Sequence, residues 1–312
     1  MKEKFETPVL FLIFNRPDTT QKVFNQIKKM KPKYLYVAAD GARDTKPNEK
    51  KLCDETRDII KGVDWDCQLK TLFREKNLGC KMAVSGAINW FFENVEEGII
   101  IEDDCLPNDS FFYFCENLLE KYRYDERVMQ IGGVNFQDNI KRSDGSYFFC
   151  RKNHIWGWAT WRRSWTLYDV KIANYSKFKE TNQLSYIFNN DRMNQVLYKK
   201  FDEVYENRID TWDIQWEYTI LSNNGIVILP QLNLVSNIGF RSDATHTTGF
   251  DQNVADKPTF EMNEIIHPTF MIPNSDADNY IFDKEHPKEK ILKKIFRKTK
   301  SIIKKIIFLG RK

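Results

Sequence analysis

No run of this chain approaches the roughly 20 consecutive apolar residues that a membrane-crossing helix needs. The apolar stretch nearest the start, Val9–Phe14, is too short for the core of a secretory signal. It follows a mixed-charge opening and runs straight into Asn15-Arg16-Pro17. The six cysteines (Cys53, Cys67, Cys80, Cys105, Cys115 and Cys150) form no CxxC pair and no Cys/His zinc spacing. That excludes a zinc ribbon and leaves scattered, reduced, buried thiols. There is no internal repeat, and no low-complexity linker interrupts the first 285 residues. The segment after the first apolar run, "FNRPDTTQ", holds no glycine, which argues against a Gly-rich phosphate loop there. These absences describe a soluble, intracellular body.

What is abundant is aromatic. Of 312 residues, 14% are aromatic, with 8 Trp, 13 Tyr and 23 Phe, against 41% hydrophobic and 29% charged overall. Rings on that scale make a large core and permit a carbohydrate site, where a flat ring stacks on the apolar face of a sugar. Charge is uneven. Lys288–Lys312 carries eleven basic residues and one acid, a local charge of +10, so the remainder of a chain with net charge +4 carries −6. A basic tail on a mildly acidic body argues against a nucleic-acid-binding domain and for an appendage with its own partner.

The first hundred residues alternate strand and helix. Val9–Phe14, Tyr34–Ala39, Cys67–Arg74 and Gly98–Ile101 read as strands, the apolar ones as expected of parallel strands buried on both faces. Helices are expected from Pro17 to about Met30, over Glu49–Lys61 and over Lys81–Asn94. Repeated units of this kind predict a mainly parallel sheet with helices on both faces. Beyond Asn108 the pattern loosens. Helices are expected over Phe111–Tyr124, Met193–Tyr205 and Asp213–Asn223, and strands over Val128–Gly132, Ile226–Leu229 and, at a sheet edge, Tyr147–Cys150. Residues 235–273 read as ordered loop over a site.

In open parallel sheets, ligands bind beyond the carboxyl ends of the strands. Three of these strands end in polar groups: Asn15-Arg16, Asp40, and the run Glu102-Asp103-Asp104. Adjacent carboxylates repel one another and need a counter-charge. A hard divalent cation, Mg²⁺ or Mn²⁺, supplies it and commonly binds one or two carboxylates together with phosphate oxygens. The plain alternative is a solvated acidic turn, with Asn108 or Asp109 capping the next helix.

The four segments "PVLFLIFNRPD", "ADGAR", "REKNLGCKMAVSGAINWFF" and "GIIIEDDCLPNDSFFYF" resemble, in order and spacing, the glycosyltransferase A fold of nucleotide-diphospho-sugar transferases. More narrowly, they are similar to the N-acetylglucosaminyltransferase I-like family and its bacterial relatives. The resemblance is good over residues 7–135, weaker over 150–250 and absent from the tail. It implies a nucleotide-sugar donor bound through Arg16 at the nucleotide or its diphosphate, Asp40 at the base, and Glu102 and Asp103 at sugar and ribose. Asp104 becomes a ligand to Mn²⁺ or Mg²⁺. Lys81 falls near a basic nucleotide contact of the relatives, although the sequence differs there.

Sugar transfer with inversion needs a base for the acceptor hydroxyl. In "DTWDIQWE", Asp213 and Glu217 share a helix face, as do Trp212 and Trp216, whose rings suit a core. A similar Trp-Asp element in the relatives implies Asp213 as the base. "HIWGWATW" resembles their Gly-Trp element beside donor and acceptor, and its crowded rings are expected to pack the two halves together. "SNIGFRSDATHTTG" reads as a mobile lid whose Arg241 and His246 meet the diphosphate.

The domain expectation is one glycosyltransferase unit over 1–285, with a nucleotide-sugar half to about 106 and an acceptor half from 107. A basic amphipathic tail follows over 286–312. Apolar pairs at Ile291/Leu292, Ile295/Phe296, Ile302/Ile303 and Ile306/Ile307 keep one helical stripe apolar among lysines. Such a helix suits an anionic membrane surface, making the protein peripheral to the inner face of the cell membrane, near glycan or lipid-linked acceptors. Two other functions are weighed. A sugar-nucleotide nucleotidyltransferase lacks its glycine loop. A non-catalytic membrane-binding protein leaves Glu102-Asp103-Asp104 and Asp213 without a role.

Overall fold

The computed structural model describes residues 5–240 and 255–287. Arg241, His246 and the basic tail from Lys288 lie outside the described residues. The strands are β1 Val9–Ile13, β2 Tyr34–Ala39, β3 Gln68–Phe73, β4 Glu97–Glu102, β5 Cys105–Pro107, β6 Val128–Gly132, β7 Tyr147–Cys150, β8 Trp158–Trp161, β9 Ile226–Pro230 and β10 Val235–Asn237. The helices are α1 Pro17–Met30, α2 Glu49–Asp58, α3 Gly79–Asn94, α4 Asp109–Tyr122, α5 Arg162–Trp165, α6 Tyr175–Glu180, α7 Leu184–Ile187, α8 Asp191–Tyr205, α9 Asp213–Ser222 and α10 Ser275–Glu285.

Eight strands form one sheet in the order β3-β2-β1-β4-β8-β6-β9-β7. β3, β2, β1 and β4 are parallel. β8 is inserted antiparallel between β4 and β6, β9 pairs parallel with β6, and β7 closes the edge antiparallel. The expected mainly parallel sheet, covered by helices on both faces, is what the chain builds. Strand parity divides the core. Val9, Phe11 and Ile13 meet Val23, Phe24 and Ile27 of α1 and the phenylalanines of α4, whereas Leu10 and Leu12 face the side of Ile88 and Phe91 of α3 and Trp216 of α9. That two-sided burial is why the apolar runs of β1 and β4 show no alternation. Pro17 opens α1, and the Asn108 side chain caps α4 by accepting from the Phe111 N–H at 3.1 Å. A third, smaller cluster joins α6, α7 and α8 to Tyr218 and Leu221 of α9.

The structure adds elements that periodicity does not announce: β5, β8, β10, the short α5–α7, and α10. In β8, Trp158 and Trp161 are three residues apart on a strand, so they point to opposite faces. Trp158 stacks on Trp212 at 5.7 Å, while Trp161 enters the other core. Trp212 and Trp216 are both buried, as their core reading requires. No helix among the described residues is long and apolar enough to cross a membrane.

Lys152, only 5% exposed, carries the second half's buried charge, with Nζ 3.0 Å from Glu217 and 3.3 Å from Glu285. Lys152→Met is expected to cost about 3–5 kcal/mol, because two carboxylates lose their buried partner. Denaturant unfolding at neutral pH measures it. The pH dependence should weaken as well. Burial alone raises both acids, but Lys152, helped by Lys200, more than offsets it, holding Glu217 below its ordinary value and Glu285 down to about 2. Wild-type protein therefore draws stability from them above the unfolded value of 4.5 and loses it as pH falls toward about 2. Without Lys152 burial is opposed only by weaker partners such as Lys200, so acidification should cost the variant less stability than it costs the wild type. An unchanged acid slope would show that Lys152 does not hold them.

Candidate active site

The parallel strands β1–β4 all deliver their last residues to one edge, and there they surround a cleft of about 280 Å³. Arg16 follows β1, Asp40 follows β2, Arg74 follows β3, Glu102 ends β4, and Asp103 and Asp104 follow it. The loops between them are braced from within. Glu49, buried, accepts from Asn15 Nδ2 at 2.9 Å and from the Arg43 N–H at 2.7 Å, and it pairs with the Arg43 guanidinium. The loops after β1 and β2 are thus tied to the start of α2.

The acidic run has a protein counter-charge. Arg16 Nη1 sits 2.7 Å from Asp104 Oδ2 and 3.8 Å from Asp103 Oδ1. Burial works against the Arg16 charge, but Asp103 and then Asp104 more than offset it and hold the guanidinium above its ordinary value. Asp103 Oδ2 also accepts from the Phe14 N–H at 3.1 Å, which locks the end of β4 to the end of β1. Burial, and next Asp104, push the Asp103 carboxyl up. Burial, then Asp104 and Asp103, push Glu102 up further. Glu102 Oε1 is buried with no hydrogen-bond partner. An orphaned carboxylate oxygen beside two other acids calls for a cation or a hydroxyl donor.

Asp40 accepts from Asn77 Nδ2 at 2.9 Å and from the Leu78 N–H at 3.0 Å, and burial raises its carboxyl. Two participants went unread in the sequence. Arg74 lines the cleft, and burial lowers its guanidinium against the pull of Asp40. Its place after β3 follows the same strand-end rule that singles out Arg16 and Asp40. Asp210 accepts from the N–H groups of Cys80 at 3.0 Å and Lys81 at 3.1 Å, seating its carboxylate on the first turn of α3. Gly79 stands there at φ +78, and a Cβ on it would lie 2.6 Å from Asp210 Oδ2, so only glycine fits. Lys81 bonds Asn207 Oδ1 at 3.0 Å and does not line the cleft.

The short β5–β10 ribbon brings the second half over Asp104. The Ile238 N–H donates to the Asp104 carbonyl at 2.8 Å, and Gly239 lies so close that a side chain would collide with the Asp104 carboxylate. Asp213 opens α9, accepts from the Thr211 hydroxyl, and lies near enough to Glu102 and Cys80 to raise both. It lines a second cleft of about 450 Å³ that also contains His154, Trp156 and Glu217.

Five carboxylates and three guanidiniums line the first cleft, and one of the three, Arg43, is already held by Glu49. A diphosphate entering this acidic edge needs added positive charge. Among the described residues no three His, Cys, Asp or Glu side chains are arranged to hold a metal ion alone. The donor set fits a hard cation that takes one or two carboxylates and completes its shell from phosphate and water.

No protein-family model matches the chain, and no curated protein matches it. Among solved structures it is similar to a UDP-glucose pyrophosphorylase complexed with UDP-glucose, at 11% identity and a TM-score of 0.35, over 72% of this chain and 90% of that one. It is also similar to HddC from Yersinia pseudotuberculosis, at 9% identity and 0.32, over 50% and 77% of the two chains. The likeness to S. aureus TarS 1–349, at 12% and 0.33, covers 50% of this chain and 47% of that one. Likenesses at this level assign no reaction.

Proposed function

We propose that the chain is a metal-dependent glycosyltransferase that moves a sugar from a UDP-linked donor to a glycan or lipid-linked acceptor, with inversion, in surface polysaccharide synthesis. One observation carries this reading: Arg16, Asp40, Glu102, Asp103 and Asp104 meet around a single cleft at the carboxyl edge of the sheet, with Asp213 beside it. Asp40, steadied by Asn77 and the Leu78 N–H, accepts from the base. Asp103 and the unpartnered oxygen of Glu102 receive hydroxyls of ribose and donor sugar. Asp104 would hold Mn²⁺ or Mg²⁺, which when bound supplies the positive charge that the leaving diphosphate needs. Arg16 and Arg74, which line the same cleft, would face the phosphates. Asp213 takes the proton of the acceptor hydroxyl.

Calorimetry with UDP, with and without Mn²⁺, tests the donor site, and slow donor hydrolysis across a panel of nucleotide sugars identifies the sugar. Nucleotide binding that ignores the metal would overturn the reading.

The tail from Lys288, outside the described residues, extends it: its lysines and apolar stripe suit anionic lipid. Truncation after His286 should leave a domain that binds nucleotide but no longer sediments with anionic vesicles. In the full chain, salt should weaken vesicle binding, and Ile302→Ser with Ile306→Ser should remove the part that salt spares. A truncated protein that unfolds would mean the tail packs on the body.

A further inference from the structure

The second cleft has its own chemistry. The Trp156 indole is held edge-on by Phe136 at 5.6 Å and Phe240 at 5.5 Å, both close to perpendicular, so the ring is rigidly mounted at the wall. Beside it, His154 Nε2 is buried without a partner, and Lys200 makes no hydrogen bond or ion pair among the described residues. Burial pushes the His154 imidazole down to about 4, so it is neutral at physiological pH and able to meet a hydroxyl. Three ammonium groups and three carboxylates line the cleft, so there is no net charge to gather an anion. Its volume of about 450 Å³ lies within the ~300–1,000 Å³ of small-molecule sites. A mounted indole, an unpartnered imidazole and an ammonium that faces Glu217 and Glu285 without a hydrogen bond to either, with no net charge in the lining, match a pyranose, which offers an apolar C–H face and a rim of hydroxyls.

We propose that this cleft seats the accepting glycosyl unit as a neutral pyranose, its C–H face on Trp156 and its hydroxyls on His154 and Lys200, with one hydroxyl presented to Asp213. This rests on the reading of Asp213 as the base. As that hydroxyl oxygen bonds the donor's anomeric carbon, its proton passes to the Asp213 carboxylate. The anomeric C–O bond to the diphosphate breaks, and its electron pair leaves with the nucleoside diphosphate. The site selects an uncharged sugar at this position, and any phosphate of a lipid-linked acceptor lies outside it.

The test is a binding measurement on the full chain with its tryptophan indoles ¹⁵N-labelled, the Trp156 signal being assigned by its loss in Trp156→Phe. Neutral methyl glycosides form one titration arm and inorganic phosphate the other. Trp156 should shift with at least one glycoside and not with phosphate. Lys200→Met, which leaves the aromatic wall intact, should weaken that glycoside about 5-fold, the worth of one hydrogen bond. A response to phosphate alone, or to no probe at all, overturns the proposal. If glycosides shift Trp156 while Asp213→Asn keeps full transfer, the sugar site stands and the base assignment falls, so the two fail separately.

Discussion

Asp104→Asn is expected to lower metal-dependent donor turnover by at least about 10²–10³-fold, the scale on which loss of one preorganised electrostatic contact is felt at a transition state. The amide keeps the shape of the side chain but removes the charge that faces Arg16 at 2.7 Å. The fold should survive, because Asp104 is partly exposed and its backbone carbonyl still accepts from Ile238. Circular dichroism and unfolding midpoints check the fold, while Mn²⁺ titration of donor hydrolysis reads the metal. A folded variant with full activity would sink the assignment.

Asp213→Asn should behave differently. A base acts on the acceptor, so transfer should fall by about 10²–10⁴-fold while donor affinity stays near wild type. The structure makes the comparison clean: Asn still fits against the Thr211 hydroxyl, and the residue sits at the opening of α9 without lining the donor cleft. Donor affinity by calorimetry and transfer rate by product release separate the cases. If affinity collapses with the rate, Asp213 is a donor ligand or a helix cap.

Much of this site was legible before the structure, for a physical reason. β1, β2 and β4 are short apolar runs buried on both faces, so their ends, and hence Arg16, Asp40 and Glu102–Asp104, can be located from hydrophobicity alone. Arg74 escaped because the expected strand, Cys67–Arg74, runs one residue past β3, so Arg74 falls inside the expected strand and not beyond its end. Asp210 escaped because its partners, Cys80 and Lys81, lie 130 and 129 residues away. β8 escaped because "WATW" is buried on both faces, so it has no alternation, and its neighbours β4 and β6 are not its sequence neighbours. Arg241 and His246, expected from the sequence to belong to a lid, and the tail lie outside the described residues.

The insertion of β8 between β4 and β6 also dictates how the chain can be made. As the polypeptide leaves the ribosome, β1–β4 can assemble early, but the outer edge of β4, with Ile99 and Ile100, stays open until Trp158 and Ala159 arrive to pair with it. At about 5–20 residues per second this leaves an unpaired isoleucine edge for about 3–11 s. Such an edge is a template for pairing with another nascent chain. Fragments ending near residue 106 should therefore be sticky and unsuited to expression alone, although they contain most of the residues that line the first cleft. The cleft edge of the sheet is thus completed only by the second half of the chain, and chaperone demand should peak in the interval before β8 emerges.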